Sequence, residues 1–80
     1  MYIVYILNSC TFLNRYYVGF TENLNYRIED HNAGKCLATK PFKPWKLLTH
    51  INFANKKKAL EFEKYLKSGS GHAFLKKRLI

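Results

Sequence analysis

The stretch YIVYIL at residues 2–7 decides the fold, because every side chain in it is β-branched, aromatic or aliphatic. Such a run predicts a strand that is buried on both faces, at the centre of a sheet. The polar pair Asn8-Ser9 ends it, and YYVGF at residues 16–20 predicts a second strand. A connection this short favours an antiparallel hairpin.

The register of this hairpin follows from the centre of its loop. With the loop centred on Thr11, Tyr5 faces Tyr17. Ile3 then faces Gly19 on the same side of the sheet. Two facing phenols beside a glycine that leaves space are a poor way to fill a core, so the pattern indicates the floor of a pocket.

Three helices and a third strand are predicted after the hairpin. Thr21 is placed to cap a first helix that ends at Gly34. Alternation at residues 47–53 predicts the third strand. Asn55 caps a second helix, and a last basic helix is predicted at residues 72–79.

Length and charge bound the fold class and the partners. Eighty residues fit one domain, 1–80, with an α/β (α+β) fold in which a three-stranded, mainly antiparallel sheet is flanked by three helices. Fourteen Lys and Arg against five Asp and Glu leave a net charge of +9, which indicates nucleic acid as the partner. No apolar run approaches the roughly 18 residues that span a bilayer, so no membrane partner is expected. Cys10 and Cys36 are too few for a disulfide framework, and we expect a cytoplasmic protein with reduced thiols.

One acidic residue interrupts the apolar stripe of the second helix. Ala59, Phe62 and Leu66 belong to that stripe, and Glu63 takes a position where leucine is expected. A carboxylate accepts such a position when it is paired, hydrogen-bonded or bound to a metal. The alternative is an ion pair with Lys67, four residues on, at the edge of the stripe.

The first helix carries a second pair of polar candidates. Arg27 and His31 are four residues apart and therefore project from one side of it. A solvated helix face is the alternative for this pair taken alone. Combined with Glu63 and the two phenols, however, they supply a cation for a phosphate, a carboxylate for a metal, and groups that handle protons. These are the parts of a phosphodiester hydrolase.

The order and spacing of these residues resemble the GIY-YIG nucleases over essentially the whole chain. Residues 3–5, Ile-Val-Tyr, resemble the first family motif with isoleucine in place of glycine. Residues 17–19, Tyr-Val-Gly, resemble the second, and eleven residues separate Tyr5 from Tyr17, which is the family's spacing. The resemblance is closest to the small bacterial single-domain branch.

The resemblance implies a one-metal hydrolysis with Mg²⁺ or Mn²⁺ as the cofactor. Glu63 would hold the ion, and Arg27 would neutralise charge on the phosphoryl oxygens. Tyr5 would orient or deprotonate the attacking water, with Tyr17 and His31 assisting. Which of these three is the general base is left open.

Lysines supply the candidate contacts with phosphates. Three of them alternate with Phe42 and Trp45, which are able to stack on bases, although Trp45 is better explained as part of the core. Three more open the second helix. The predicted nucleic-acid-binding residues are Lys40, Lys43, Lys46, Lys56, Lys57 and Lys58.

These observations favour a metal-dependent endonuclease that cuts DNA with low sequence specificity. Structure-specific cutting in repair or recombination, or cutting directed by a protein partner, fits a chain with no room for a recognition domain. Two other classes stay open: a non-catalytic basic module that binds nucleic acid, and a small interaction protein of a repair or RNA complex. The inward Glu63 favours the enzyme, because a binding module gains nothing from it.

Overall fold

The computed structural model describes residues 1–80 and contains one antiparallel sheet with strand order β2-β1-β3. The strands are β1 (Tyr2–Ser9), β2 (Tyr16–Thr21) and β3 (Trp45–Phe53), and the helices are α1 (Leu24–Asn32), α2 (Lys56–Leu66) and α3 (Gly69–Phe74). A 3-10 turn, Lys40–Phe42, precedes β3, and a π-helical turn, Leu75–Leu79, follows α3. The predicted α+β class with three antiparallel strands and three helices is confirmed.

Strand β1 is the central strand and is buried on both faces, as its sequence predicts. Residues 4–7 expose no surface. Because successive side chains of a strand point to opposite faces, Val4 and Ile6 lie on one side of the sheet. Tyr5 and Leu7 lie on the other side.

The two faces carry separate clusters of side chains. The first cluster, under α2 and α3, contains Val4, Ile6, Val18, Ala59, Leu66 and Leu75. The second, under α1, contains Tyr5, Leu7 and Trp45, with Tyr17, Leu24, Ile28 and Phe42 packed against it. We call these the apolar face and the tyrosine face. Trp45 is a core residue of the tyrosine face, as expected.

The predicted register of the β1–β2 hairpin is wrong by two residues. Tyr5 pairs with Gly19, and Leu7 pairs with Tyr17. A shift of two keeps every side chain on its face. Tyr5 and Tyr17 therefore still share one face, but they are diagonal neighbours rather than direct partners.

Polar side chains at the end of β1 set this register. Asn8 donates to the carbonyl of Leu13 across 3.0 Å and to the carbonyl of Arg15 across 3.1 Å. Ser9 Oγ accepts from the backbone N–H of Phe12 across 2.9 Å. These bonds centre the loop on Phe12 rather than on Thr11, and the facing strand moves accordingly.

The caps of α1 differ in part from the prediction. Asn23 caps the helix by accepting from the N–H of Tyr26 across 3.1 Å. Thr21, the predicted cap, instead accepts from the N–H of Asn23 across 3.1 Å and shapes the turn before the helix. Gly34 ends α1 as predicted, with a φ of 78° that glycine adopts without steric cost.

The second helix begins as predicted, and the third begins early. Asn55 caps α2 by accepting from the N–H of Lys58 across 3.0 Å. The third helix begins at Gly69 rather than at residue 72, because Ser68 Oγ accepts from the N–H of Gly71 and caps it. None of the helices has the length and apolar character needed to cross a bilayer.

Candidate active site

Tyr5 lies at the centre of the tyrosine face and is fully buried. Its partner on β2 is Gly19, and a Cβ atom at position 19 would collide with the phenol ring of Tyr5. Glycine at position 19 therefore lets the ring lie across the neighbouring strand. The Tyr5 hydroxyl thereby reaches the side chains of α1.

Helix α1 brings two polar side chains to that hydroxyl. Leu24 and Ile28 pack one side of the helix against the tyrosine face. Arg27 and His31, four residues apart, project from the neighbouring side. The Tyr5 hydroxyl lies 2.8 Å from Nε2 of the fully buried His31 and accepts from Arg27 Nε across 3.3 Å. The structure therefore brings Tyr5, Arg27 and His31 together.

Tyr17 occupies the outer side of the same cluster. Its ring centroid lies 5.0 Å from that of His31 and 6.4 Å from that of Tyr5. Strand β2 is an edge strand, and Tyr17 is half-buried there. Of the two phenols, Tyr17 is the one that meets solvent.

Thr39 completes the cluster from the loop that leads to β3. It is fully buried, and its Oγ1 lies 2.7 Å from Nδ1 of His31. Its backbone carbonyl accepts from Trp45 Nε1 across 2.9 Å. Sequence reasoning missed Thr39, because a threonine beside Lys40 in a loop has the pattern of a solvated residue.

Burial and charge shift the protonation equilibria of the cluster. Burial raises the pKa of Tyr5 to about 12, although the hydrogen bond from Arg27 opposes this. The pKa of His31 is lowered from 6.5, first by burial and then by the charge of Arg27, while Asp30 acts in the opposite direction. Near neutral pH, the phenol therefore keeps its proton and the imidazole is uncharged.

Glu63 borders the Tyr17 side of the cluster. Its side chain is 21% exposed, and Lys67 Nζ lies 3.3 Å from its Oε2. The same ammonium lies 5.7 Å from the centroid of the Tyr17 ring. Glu63 is therefore partly buried and paired with Lys67, the ion pair predicted from the sequence as the alternative to metal binding.

A depression of about 530 Å³ adjoins this pair. Val18 and Leu66 contribute apolar surface to it, and Tyr17, Lys67 and His72 contribute polar groups. Tyr17 lines this depression, whereas Val18, Leu66 and Leu75 in its lining belong to the apolar face, so the depression lies at the edge of β2 rather than over Tyr5.

The donor set fits a magnesium-type ion and does not fit a zinc-type ion. The structure contains no group of three or more His, Cys, Asp or Glu side chains arranged to ligate a metal. Structural and catalytic zinc requires three or four protein ligands. Mg²⁺ keeps several waters and takes one or two carboxylates together with substrate phosphates, so the single carboxylate of Glu63 suits it.

The predicted phosphate-binding lysines are all exposed, but they form separate groups. The side chains of Lys40 and Lys43 approach Gly34, at the end of α1. Lys56 and Lys57 line a groove on the outer face of α2 with Lys64. The structure therefore spreads positive charge around the domain rather than concentrating it at the tyrosine cluster.

Comparison with known families identifies this arrangement. The family model described as the GIY-YIG catalytic domain matches residues 1–77. The chain belongs to the GIY-YIG family. The family model describes a catalytic domain and the members of the family are nucleases, so the match supports a nuclease domain of the hydrolase class.

Curated relatives of this GIY-YIG domain include two small bacterial proteins and one eukaryotic protein. It is 40% identical to a UPF0213 protein of Lactiplantibacillus plantarum over 63 residues, which is 75% of this chain and 62% of the relative. It is 36% identical to the UPF0213 protein YazA of Bacillus subtilis over 55 residues, 68% of this chain and 56% of the relative. It is 44% identical over 57 residues to the structure-specific endonuclease subunit SLX1 homolog of Brugia malayi, covering 65% of this chain and 17% of that protein. The chain therefore spans less than two thirds of the length of each relative.

Proposed function

We propose that this GIY-YIG domain is a divalent-metal-dependent endonuclease that hydrolyses DNA phosphodiester bonds with low sequence specificity. The observation that carries the proposal is the Arg27–Tyr5–His31 cluster, in which a partly exposed cation, a phenol and a neutral imidazole are joined by hydrogen bonds. Glu63 is linked to this cluster through Lys67, whose ammonium lies 5.7 Å from the centroid of the Tyr17 ring. A domain that only bound nucleic acid would have no use for a buried chain of proton-handling groups.

Arg27 connects the buried cluster with the substrate phosphate. Its side chain is 37% exposed, and its Nη1 lies 3.9 Å from Asp30. A guanidinium stays charged and matches the geometry of phosphate oxygens. Arg27 neutralises charge that grows on the phosphoryl oxygens, a contribution that for a single donor is commonly worth about 10²–10³ in rate.

The attacking water binds at the Tyr5 hydroxyl. In the free protein, Arg27 donates to that oxygen across 3.3 Å, the longer of the two bonds to the hydroxyl. A phosphate is a stronger acceptor for a guanidinium than a neutral phenol is. When Arg27 turns to the phosphate, it therefore leaves an acceptor position on Tyr5 to the water. Tyr17 flanks this position, and His31 lies behind it.

Glu63 holds the metal in this proposal. A bound Mg²⁺ or Mn²⁺ supplies Lewis-acid stabilisation of the phosphoryl and leaving oxygens. Lys67 occupies Oε2 of Glu63 in the free protein. An ion held by Glu63 would compete with that ammonium for the carboxylate.

Surface charge supports DNA as the substrate and argues against strict sequence recognition. The net charge is +9, and the exposed lysines lie in separate groups. Lysine contacts with phosphates position a duplex without reading its bases. The SLX1 homolog is named as a structure-specific endonuclease subunit, which supports structure-specific cutting and assembly with a protein partner. A role in repair or recombination is part of the same proposal.

The Glu63–Lys67 ion pair favours a second candidate function. A carboxylate that is neutralised by a lysine four residues on is a common surface feature of helices. If the pair is only structural, the domain is a basic nucleic-acid-binding module without hydrolytic activity. Removing the charge of Glu63 would abolish cleavage if Glu63 holds a metal, and it would change no activity if the ion pair is only structural.

Glu63→Gln tests the proposal. The substitution keeps the shape of the side chain and removes the charge that holds the ion. Cleavage of a nicked, branched or flapped DNA panel in saturating Mg²⁺ should fall by about three orders of magnitude, because metal stabilisation is commonly worth several kcal/mol and each 1.4 kcal/mol is about tenfold. DNA binding measured in the presence of EDTA should be unchanged or tighter.

Glu61→Gln is the matched control. Glu61 lies on the same helix, and Lys58 Nζ lies 4.0 Å from its carboxylate, but it is exposed on the outer face. This variant should cleave like the parent protein. Equal cleavage by both variants would refute the metal-binding role of Glu63, and absence of cleavage by the parent with every divalent ion would support the binding module.

A further inference from the structure

Thr39 is a fully buried polar residue of the cluster behind Tyr5. It exposes no surface, and neither does His31 nor Tyr5. Thr39 Oγ1 is 2.7 Å from Nδ1 of His31, and the Tyr5 hydroxyl is 2.8 Å from Nε2. Both ring nitrogens of a buried neutral histidine are therefore engaged, one by each hydroxyl.

The position of each proton follows from the available acceptors. Arg27 Nε is a donor only, so the Tyr5 oxygen accepts from it. The phenol proton then has one acceptor within reach, Nε2 of His31. If Nε2 carried the imidazole proton, the phenol proton would be left without an acceptor in a fully buried site, at a substantial cost. The neutral ring therefore carries its proton on Nδ1 and donates it to Thr39.

The other contacts of Thr39 agree with this direction. Having accepted from His31, its hydroxyl proton needs its own acceptor, and the carbonyl of Cys36 lies 3.4 Å away. Burial alone would raise the pKa of the Cys36 thiol, but hydrogen bonding from the Thr39 side chain and from the backbone of residues 38 and 39 lowers it. The Thr39 hydroxyl thus donates toward Cys36. Every buried side-chain polar atom in the protein has a partner.

We infer that Thr39 is a positioning residue of the hydrolytic site, which holds His31 in the Nδ1–H tautomer so that Nε2 receives the proton of Tyr5. This inference rests on the proposed nuclease function. Thr39 itself touches no substrate. It acts through His31, in the way that the partner of a catalytic histidine fixes which nitrogen is free to accept a proton.

The tautomer determines which proton transfer the site supports. As the water attacks the phosphorus, one of its protons passes to the Tyr5 oxygen while the phenol proton passes to Nε2 of His31. The oxygen of the water becomes bonded to phosphorus, and the bond from phosphorus to the leaving ester oxygen breaks. The electron pair of that bond stays on the leaving oxygen, which takes a proton from solvent. Tyr5 is again a neutral phenol, and His31 is an imidazolium. With the proton on Nε2 instead, His31 has no free nitrogen facing Tyr5 and the transfer is blocked.

The first experiment measures the tautomer directly in the full chain. Two-dimensional ¹⁵N NMR of the imidazole groups at neutral pH distinguishes a protonated from an unprotonated ring nitrogen. In the parent protein, we expect the Nδ1 of His31 to be protonated and the Nε2 to be unprotonated. A protonated Nε2 and an unprotonated Nδ1 would overturn the inference, whatever the protein cleaves.

Two substitutions then distinguish the effect of losing the Thr39 hydroxyl from a general effect on the fold. Thr39→Val keeps the shape and the backbone bond to Trp45 but removes the acceptor of the Nδ1 proton. We expect a mixture of tautomers and a kcat that falls by about 10²-fold or more, with KM for DNA unchanged, because general acid–base catalysis commonly contributes 10²–10⁴. Thr39→Ser restores the hydroxyl, the single tautomer and the activity.

Ser9→Ala is the control for loss of a buried hydroxyl. Ser9 Oγ donates to the carbonyl of Phe42 across 2.6 Å and makes no hydrogen bond to the imidazole. This variant should lower Tm while leaving the His31 tautomer unchanged. A Thr39→Val protein with a single Nδ1–H tautomer and parental kcat would refute the inference. A parent protein that cleaves no DNA but shows the expected tautomer would refute only the proposed nuclease function.

Discussion

The two faces of the sheet are built from alternate residues of one strand, yet their chemistry is opposite. Val4 and Ile6 of β1 pack among aliphatic side chains beneath α2 and α3. On the tyrosine face, the neighbouring Tyr5 contacts His31 and Arg27 through hydrogen bonds. In a domain of 80 residues, alternate residues of one strand therefore serve different purposes. Those on one face pack in an apolar cluster, and those on the other carry proton-handling groups.

Helix α2 joins the two faces. Its buried residues Ala59 and Leu66 belong to the apolar face. At its C-terminal end, Lys67 lies 3.3 Å from Oε2 of Glu63 and 5.7 Å from the centroid of the Tyr17 ring. A helix whose burial stabilises the apolar face therefore carries, at that end, an ammonium that reaches a side chain of the tyrosine face.

The sharpest test of this division compares neighbouring residues of β1. Ile6→Ala removes fully buried aliphatic groups from the apolar face and should lower the free energy of unfolding by about 2–5 kcal/mol. The cleavage rate of the molecules that remain folded should be unchanged. Chemical denaturation, together with cleavage assays at low temperature, measures both quantities.

Tyr5→Phe is the complementary change on the opposite face. It removes one hydroxyl and keeps the ring that packs on Gly19. Stability should fall by about 1–3 kcal/mol, because the buried Nε2 of His31 loses its partner, while cleavage should be lost. The division between faces is wrong if Ile6→Ala abolishes cleavage in folded protein or if Tyr5→Phe cleaves normally.

A second comparison uses two glycines in different surroundings. Gly19→Ala places a methyl group against the Tyr5 ring and should cost about 1–3 kcal/mol of stability through overpacking. Displacement of the phenol should also lower the cleavage rate by about 10²-fold. Gly69→Ala is the control, since nothing lies within 4 Å of the added Cβ atom, and it should preserve activity and stability. Similar behaviour of the two variants would show that the Tyr5 ring is not seated on Gly19.

The smallest expected effect is the pH dependence of the tyrosine face. The pKa of His31 is lowered from 6.5 by burial and by Arg27, so below about pH 6.5 the unfolded chain binds more protons at this residue than the native protein does. The free energy of unfolding should therefore decrease as the pH falls through this range, by at most about 1.4 kcal/mol per pH unit for one group. His31→Gln should flatten that dependence. Parallel curves for the two proteins would mean that His31 is not buried in its neutral form.

The sequence predicted the class of the fold and the members of the cluster better than their detailed contacts. The central strand, the strand parity of Tyr5 and Tyr17, and the helical spacing of Arg27 and His31 all follow from local periodicity. The register does not follow from periodicity, because it depends on which carbonyl groups of the loop accept hydrogen bonds from Asn8. The face on which each residue lies is still predicted correctly, because a shift of two residues moves no side chain to the other face.

Glu63 shows the limit of a helical pattern. Its spacing from Leu66 placed it on the inward stripe, and the ion pair with Lys67 was the alternative that the structure shows. The apolar stripe of a helix gives the direction in which a side chain such as that of Glu63 projects from the helix axis. It does not give the distance of that side chain from the edge of the sheet beneath the helix. Whether a carboxylate at that angle is buried or meets solvent depends on how far α2 extends beyond β2.

The amino-acid sequence by itself determined the helices and strands of this protein and the face on which each strand residue lies. It also determined which residues are able to bind a phosphate or transfer a proton. These properties depend on neighbours within a few positions along the chain. Tertiary structure alone decided that Gly19 accommodates Tyr5, that Lys67 pairs with Glu63 beside Tyr17, and that Thr39 meets His31. The loop carrying Thr39 is held by Trp45 Nε1 and by the packing beneath α1, and no periodicity encodes such contacts between distant segments.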